Sequence, residues 1–331
     1  MFSERKLKYS IAINEAIIQL MRSDASVLLI GQGVKSPWYV GNTCSGLIEE
    51  FGESRVIDTP VSENAITGAA VGAALAGMKS IVVHPRADFV LYAFDPIVNQ
   101  AANWHYMSGG NASTPVVFWL IVNRGGEQAA QHSQALHSIF SHVPGLKVVA
   151  PSNAYDAKGL FISAINDPDP VVFIDDRWLY GKDAHVPTEM YEVPIGKAFV
   201  RKQGKDITLI SSSYTAFLCD TVATEMAKEG IDVEFIDLCT LKPYDKNTIL
   251  SSVSKTGKAV IVDGSWKSFG YAAEISAMIS ENAFSKLKAP VERVCLPDAP
   301  APASRSLEEN YYIKKEQIIE AIHKVINYPE E

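Results

Sequence analysis

The chain has 331 residues, 47% hydrophobic and 21% charged, with a net charge of −8 and a pI near 5.5. This is the composition of a soluble globular protein, long enough for two cores of roughly 150 residues each. It offers no basic face to nucleic acid, no apolar run approaching the ~18 residues of a membrane span and no apolar signal core at its start, so a cytoplasmic enzyme or subunit is expected.

Short apolar runs alternate with helical patterns along the whole chain. In the first half the strand candidates are residues 26–31, 55–59, 80–84, 115–122, 146–151 and 170–175, with helices at about 10–22, 62–77, 94–106 and 153–166. Runs that are continuously apolar belong to strands buried on both faces, so a mostly parallel α/β domain is expected over residues 1–177. The polar segment 178–196 holds two prolines, breaks the rhythm and reads as a linker. Strand candidates then resume at 207–213, 233–238, 259–264 and 291–296, giving a second such domain over 197–331 that ends in a helix at about 314–327. Cys44, Cys219, Cys239 and Cys295 are scattered without metal-ligand spacing and read as core thiols of a reducing compartment; no metal site is expected on this chain.

The helix at 62–77, SENAITGAAVGAALAG, opens on a serine suited to N-capping and then consists almost wholly of Ala and Gly. Glycine costs roughly 1 kcal/mol per site against alanine inside a helix, so Gly68 and Gly72 call for the close approach of another backbone. Ala65, Gly68, Ala69, Gly72 and Ala76 share the face in question. From the residues alone, approach within the domain is slightly favoured over approach by another subunit.

A dinucleotide loop is excluded. Gly31-Gln32-Gly33 follows a strand, but the third glycine position is Ser36, followed by Pro37 and Trp38, and no helix opens there. The stretch VIDTPVSENAITG (56–68) is more informative, because a strand ends in a proline-fixed turn and a helix begins with Ser62 and Glu63. Ligands of α/β sheets bind at such carboxyl ends. A first-turn glutamate is ordinarily explained by the helix dipole, yet Glu63 stands between a rigid turn and an apolar helix, where a surface glutamate is out of place.

DTPVSE (58–63), AFDPIVNQAA (93–102), YMSGG (106–110), AAQHSQ (129–134), HVPGLKVVAPSN (142–153) and DPDPVVF (167–173) together resemble the β subunits of thiamine-diphosphate-dependent 2-oxo-acid dehydrogenase E1 components, the pyruvate, branched-chain and acetoin type of the transketolase-like superfamily. The similarity runs from about residue 8 to 325. It implies a pyrimidine-binding fold followed by a transketolase C-terminal-type domain. It further implies that Glu63 hydrogen-bonds the aminopyrimidine nitrogen of thiamine diphosphate and so activates the cofactor. Phe89 falls on the aromatic stacked against that ring, Val61 and Pro85 fall beside the cofactor, and His132 falls on the histidine that handles protons during acyl transfer to lipoamide. The Gly-Asp-Gly…Asn motif that holds Mg2+ and the diphosphate in such enzymes is missing; Val262-Asp263-Gly264 lacks the first glycine. The resemblance therefore implies an α-type E1 partner carrying that motif, an α2β2 heterotetramer with the Ala/Gly helix at a subunit interface, and docking to a lipoyl acyltransferase core.

Two segments depart from the pattern: Val83-His84-Pro85-Arg86 before Phe89, and WLIVNRGGE (119–127). Both fall near the implied pocket, where His84, Arg86 and Arg124 are candidates for an anionic or hydroxylated substrate. The alternatives left open are a split decarboxylase, synthase or transketolase-like enzyme with a non-lipoyl acceptor, and a β-like scaffold without catalysis.

Overall fold

The computed structural model describes residues 5–36 and 38–329, so Pro37 lies outside the described residues. The chain divides into two compact units, one comprising residues up to Arg124 with Gln131–Ile195, the other Gly125–Ala130 with the residues from Gly196 onward. No helix among the described residues is long and apolar enough to cross a membrane.

The first unit begins with strand β1 (Lys6–Lys8), helix α1 (Tyr9–Ser23), β2 (Val27–Gln32), α2 (Leu47–Phe51), β3 (Val56–Thr59), α3 (Glu63–Leu75) and β4 (Lys79–His84). A 3-10 helix (Ala87–Ala93) and a π-helical turn (Asp95–Ala101) lead into α4 (Ala102–Met107). Then come β5 (Val116–Val122), α5 (His137–His142), β6 (Lys147–Val149), α6 (Ala154–Asn166), β7 (Val171–Asp176) and β8 (Asp183–His185). Six of these strands form one parallel sheet in the order β6-β7-β5-β4-β2-β3. Every residue of β5 is buried, which is why its sequence is continuously apolar rather than alternating. The helix expected over 94–106 is regular only from Ala102; Pro96 stands in the first turn of the irregular part, and having no amide hydrogen it gives no helical hydrogen bond there.

Residues 178–196, read from sequence as a linker, are tied to the first unit as far as Ile195. β8 pairs antiparallel with β1. The ammonium of Lys158, wholly buried on α6, bonds Glu15 at 2.7 Å and the carbonyls of Pro187 and Glu189 at 2.8 Å each. A buried charge is tolerable only when paired and hydrogen-bonded, and this one is both. The backbone carbonyls of the segment thus satisfy a buried lysine.

The second unit holds β9 (Phe199–Lys202), β10 (Ile207–Ser211), α7 (Ser213–Lys228), β11 (Val233–Asp237), β12 (Thr240–Lys242), α8 (Lys246–Thr256), β13 (Ala259–Trp266), α9 (Tyr271–Ala283), β14 (Glu292–Leu296), α10 (Arg305–Glu308) and α11 (Lys315–Ile326). Its five-stranded sheet runs β14-β13-β10-β11-β9, parallel except for β9, an edge strand that the sequence pattern did not reveal. α8 is bounded as its sequence dictates, with the Asp245 carboxylate accepting from the Thr248 amide and Gly257 closing the helix at φ 73°. Three of the four cysteines are buried and none is in a disulfide.

Candidate active site

Four neighbouring parallel strands end side by side at Thr59, Gln32, His84 and Val122. A cleft of about 350 Å3 opens at the first three of these ends, lined by Gln32, Tyr39, Val61, Glu63, His84, Pro85, Arg86 and Phe89. Six of the eight residues singled out from the sequence therefore come together on one side of one sheet.

Glu63 is the first residue of α3 and follows the Pro60 turn from β3. Among the described residues its carboxylate takes no hydrogen bond and no ion pair. Ser62 occupies the N-cap position, but its side chain makes no capping bond, because its backbone (φ −165°, ψ 66°) departs from the usual cap geometry. The first turn of α3 is thus without a side-chain cap, and Val61 beside it stands 67% exposed with no packing partner over it.

His84 is buried. Its Nε2 lies 3.2 Å from the Thr67 hydroxyl of α3, and its Nδ1 has no protein partner. Burial pushes the imidazole pKa down to about 3, so the ring is neutral near pH 7 and supplies no charge to an anion. The sign of the linkage follows. The unfolded chain takes up this proton below about pH 6.5 and the folded chain only near pH 3, so stability is lost as pH falls through that window, by up to about 1.4 kcal/mol per pH unit. A His84→Gln variant is expected to lose less stability than the wild type between pH 7 and pH 5 in denaturant titrations. Equal losses would show that His84 does not titrate this way.

Arg86 is half-buried, its Nη1 donating to the Pro85 carbonyl at 3.1 Å and to Asn123 Oδ1 at 3.3 Å. Asn123 in turn donates to the Pro85 carbonyl at 3.0 Å, fixing the turn that follows β4. Arg124 lies elsewhere. The structure holds it in a buried ion pair with Asp176, its Nε 2.7 Å from the carboxylate, and it does not line the cleft. Its charge is therefore already paired within the chain.

Phe89 lies on the 3-10 helix and meets His132 edge to face, with ring centroids 5.3 Å apart and planes at 88°. His132 comes from the loop after β5, and Asp88 anchors that loop. Its Oδ1 accepts from the Gln134 amide at 3.1 Å and from the Gln134 side chain at 2.9 Å. Burial pushes the Asp88 carboxyl up, against those two bonds.

Sequence reasoning passed over Asp88 and Tyr39 and had no account of Gln32. Tyr39 packs on Gly33, where a Cβ would lie 2.2 Å from its ring, and its hydroxyl accepts from Gln32 Nε2 at 2.6 Å. Gly33, at φ 74°, thus serves a ring and not a phosphate. The short span between Gly33 and Tyr39 was the available signal.

The cleft offers a carboxylate without a protein partner, a buried unsatisfied imidazole nitrogen, an aromatic ring and an uncovered valine. That set fits a flat heteroaromatic ring bearing polar nitrogens.

Comparison with known proteins gives a consistent result. Residues 5–182 match the transketolase pyrimidine-binding domain and residues 196–318 the transketolase C-terminal domain. The chain is 44% identical over 97% of its length to the β subunit of acetoin:2,6-dichlorophenolindophenol oxidoreductase of Cupriavidus necator, covering 98% of that protein. It is 41% identical over 96% of its length to the pyruvate dehydrogenase E1 component subunit β of Rickettsia felis, covering 97%. Its fold matches a solved split-gene transketolase, described as an inactive β4 tetramer, with a TM-score of 0.79 at 19% identity, covering 97% of this chain and 98% of that one.

Proposed function

Because this chain belongs to the β-subunit family of 2-oxo-acid dehydrogenase E1 components, built from transketolase pyrimidine-binding and C-terminal domains, we propose that its cleft receives the aminopyrimidine ring of thiamine diphosphate and that Glu63 is the carboxyl bonded to a ring nitrogen. The observation carrying this reading is the partnerless Glu63 carboxylate between Val61 and Phe89 in one cleft. When bound, thiamine diphosphate supplies a nucleophilic carbon and an electron sink for loss of CO2 from a 2-oxo acid.

The chain's own residues do the rest. Glu63 holds a proton at its carboxyl oxygen and shares it with the ring nitrogen, acting as acid and base in turn. Phe89, Val61 and Pro85 offer apolar surface to the ring faces and displace water from it. His132, steadied through the Asp88–Gln134 bonds, is placed to give and take a proton as the acyl fragment passes to lipoamide. Glu63, Phe89 and His132 standing together speak against an inert scaffold.

The chain has no Gly-Asp-Gly motif, so Mg2+ and the diphosphate are assigned to an α-type E1 partner in an α2β2 assembly. The open Ala/Gly face of α3 favours a subunit interface over the intradomain packing favoured by the residues alone. Docking to a lipoyl acyltransferase core is assigned to the second unit. The test is to co-express the chain with a candidate α chain, add thiamine diphosphate and Mg2+, and measure CO2 release across a panel of 2-oxo acids. Release from none of them would overturn the reading.

A further inference from the structure

A second cation stands next to the cleft, unassigned by any motif. Arg177 follows β7, and its Nη2 donates to the backbone carbonyl of Tyr39, whose ring lines the cleft. Its Nε is buried with no hydrogen-bond partner, and among the described residues Arg177 forms no ion pair. Arg86, on the cleft wall, also has no ion pair among the described residues, and only its Nη1 is engaged.

The nearby carboxylates are bonded elsewhere: Asp88 to Gln134, Asp176 to Arg124, and Asp175 to Trp119 and Tyr180. The two guanidinium groups also feel each other. After burial, the charge of Arg177 is the largest influence lowering the Arg86 pKa, offset in part by Tyr39 and Asp88. Arg177 also lies over the Tyr180 ring, 6.0 Å from its centroid, and feels the charge of Asp175. Yet neither guanidinium is in an ion pair among the described residues, and two such partly desolvated like charges are relieved when an anion arrives.

We propose that Arg86 and Arg177 form an anion subsite that selects a donor bearing a second carboxylate, a dicarboxylic 2-oxo acid. The inference rests on the assignment of this cleft to a thiamine-dependent E1 β subunit. The carboxylate beside the oxo group leaves as CO2 and surrenders its charge on the way, so a fixed pair of cations gripping it would favour the ground state over the transition state. A distal carboxylate keeps its charge throughout, and its two oxygens match the planar fork of a guanidinium. His84, neutral in this wall, adds no charge to the subsite.

The test uses the assembled enzyme with its α partner, thiamine diphosphate and Mg2+. The probes are 2-oxoglutarate and 2-oxopentanoate, which differ by a terminal carboxylate against a methyl group. The quantity read is the ratio of kcat/KM for the diacid to that for the monoacid. The wild type is expected to favour the diacid, and Arg86→Gln and Arg177→Gln are each expected to cut the ratio by at least ~10-fold, the effect of losing one charge-assisted hydrogen bond. Arg177→Lys should recover part of it. Subunit assembly and the thiamine diphosphate Kd, measured by titration, report whether each variant is folded and whether the anion concerned is the cofactor's own. A large rise in that Kd, a ratio unchanged in both variants, or a wild type preferring the monoacid would each overturn the subsite. A wild type that decarboxylates the monoacid but ignores the second charge overturns the subsite alone, whereas no CO2 from either acid overturns the reading beneath it as well.

Discussion

Glu63→Gln in the assembled enzyme is expected to lower kcat by at least ~100-fold, the range for loss of a positioned acid–base group. The substitution keeps the shape of the side chain and removes only its capacity to hold and release a proton. Because the Glu63 side chain has no protein partner among the described residues, the change leaves no orphaned group behind, and stability should move by no more than ~0.5 kcal/mol. The checks are steady-state turnover together with a denaturant titration of the same variant. Near-normal turnover would rule out Glu63 as the activating carboxyl, and a large stability loss would make it a structural residue.

The second large effect is total. The isolated chain, supplied with thiamine diphosphate and Mg2+, is expected to show no turnover, and adding an α chain with a Gly-Asp-Gly…Asn motif should restore it. The expectation has two physical grounds. No such motif occurs in the 331 residues, so a diphosphate would lack its hard cation and its oxygen ligands. The α3 face of Ala65, Gly68, Ala69, Gly72 and Ala76 is also exposed or nearly so, and a Cβ added at Gly68 or Gly72 would meet nothing within 4 Å. Two helix-weakening glycines therefore have no explanation among the described residues, which is what a face reserved for another backbone looks like. Gly68→Leu serves as the probe, since its Cβ would enter open space on an exposed face of the chain and the side chain should obstruct assembly, read by sedimentation. Full activity of the chain alone would refute the split site.

Much of the fold was legible because continuous apolar runs such as 115–122 leave few options besides strands buried on both faces, and β5 is such a strand. β9 escaped notice because its residues are only partly buried and lack a strong apolar signature. The role of the 178–196 segment toward the Lys158 ammonium is hidden for a different reason: it is played by backbone carbonyls, which leave no mark in residue type. In the cleft, Glu63, Val61 and Phe89 could be found because turn, helix start and aromatic sit in contiguous blocks. Arg177 could not, since it is 91 positions from Arg86 and only the parallel sheet brings β4 and β7 to the same edge. The ion pair of Arg124 was hidden in the same way, because its partner Asp176 is supplied by a strand far along the chain.

The Asp88–Gln134 bonds bear on how this active site can change. Phe89 is covalently next to Asp88, while His132 is two residues from Gln134 on a separate loop. The clamp therefore makes the aromatic and the histidine a single inheritable unit. A substitution that reshapes one will displace the other, and selection for a new substrate has to move both or neither. Position 88, which does not line the cleft at all, thus acts as the hinge pin on which any such remodelling turns.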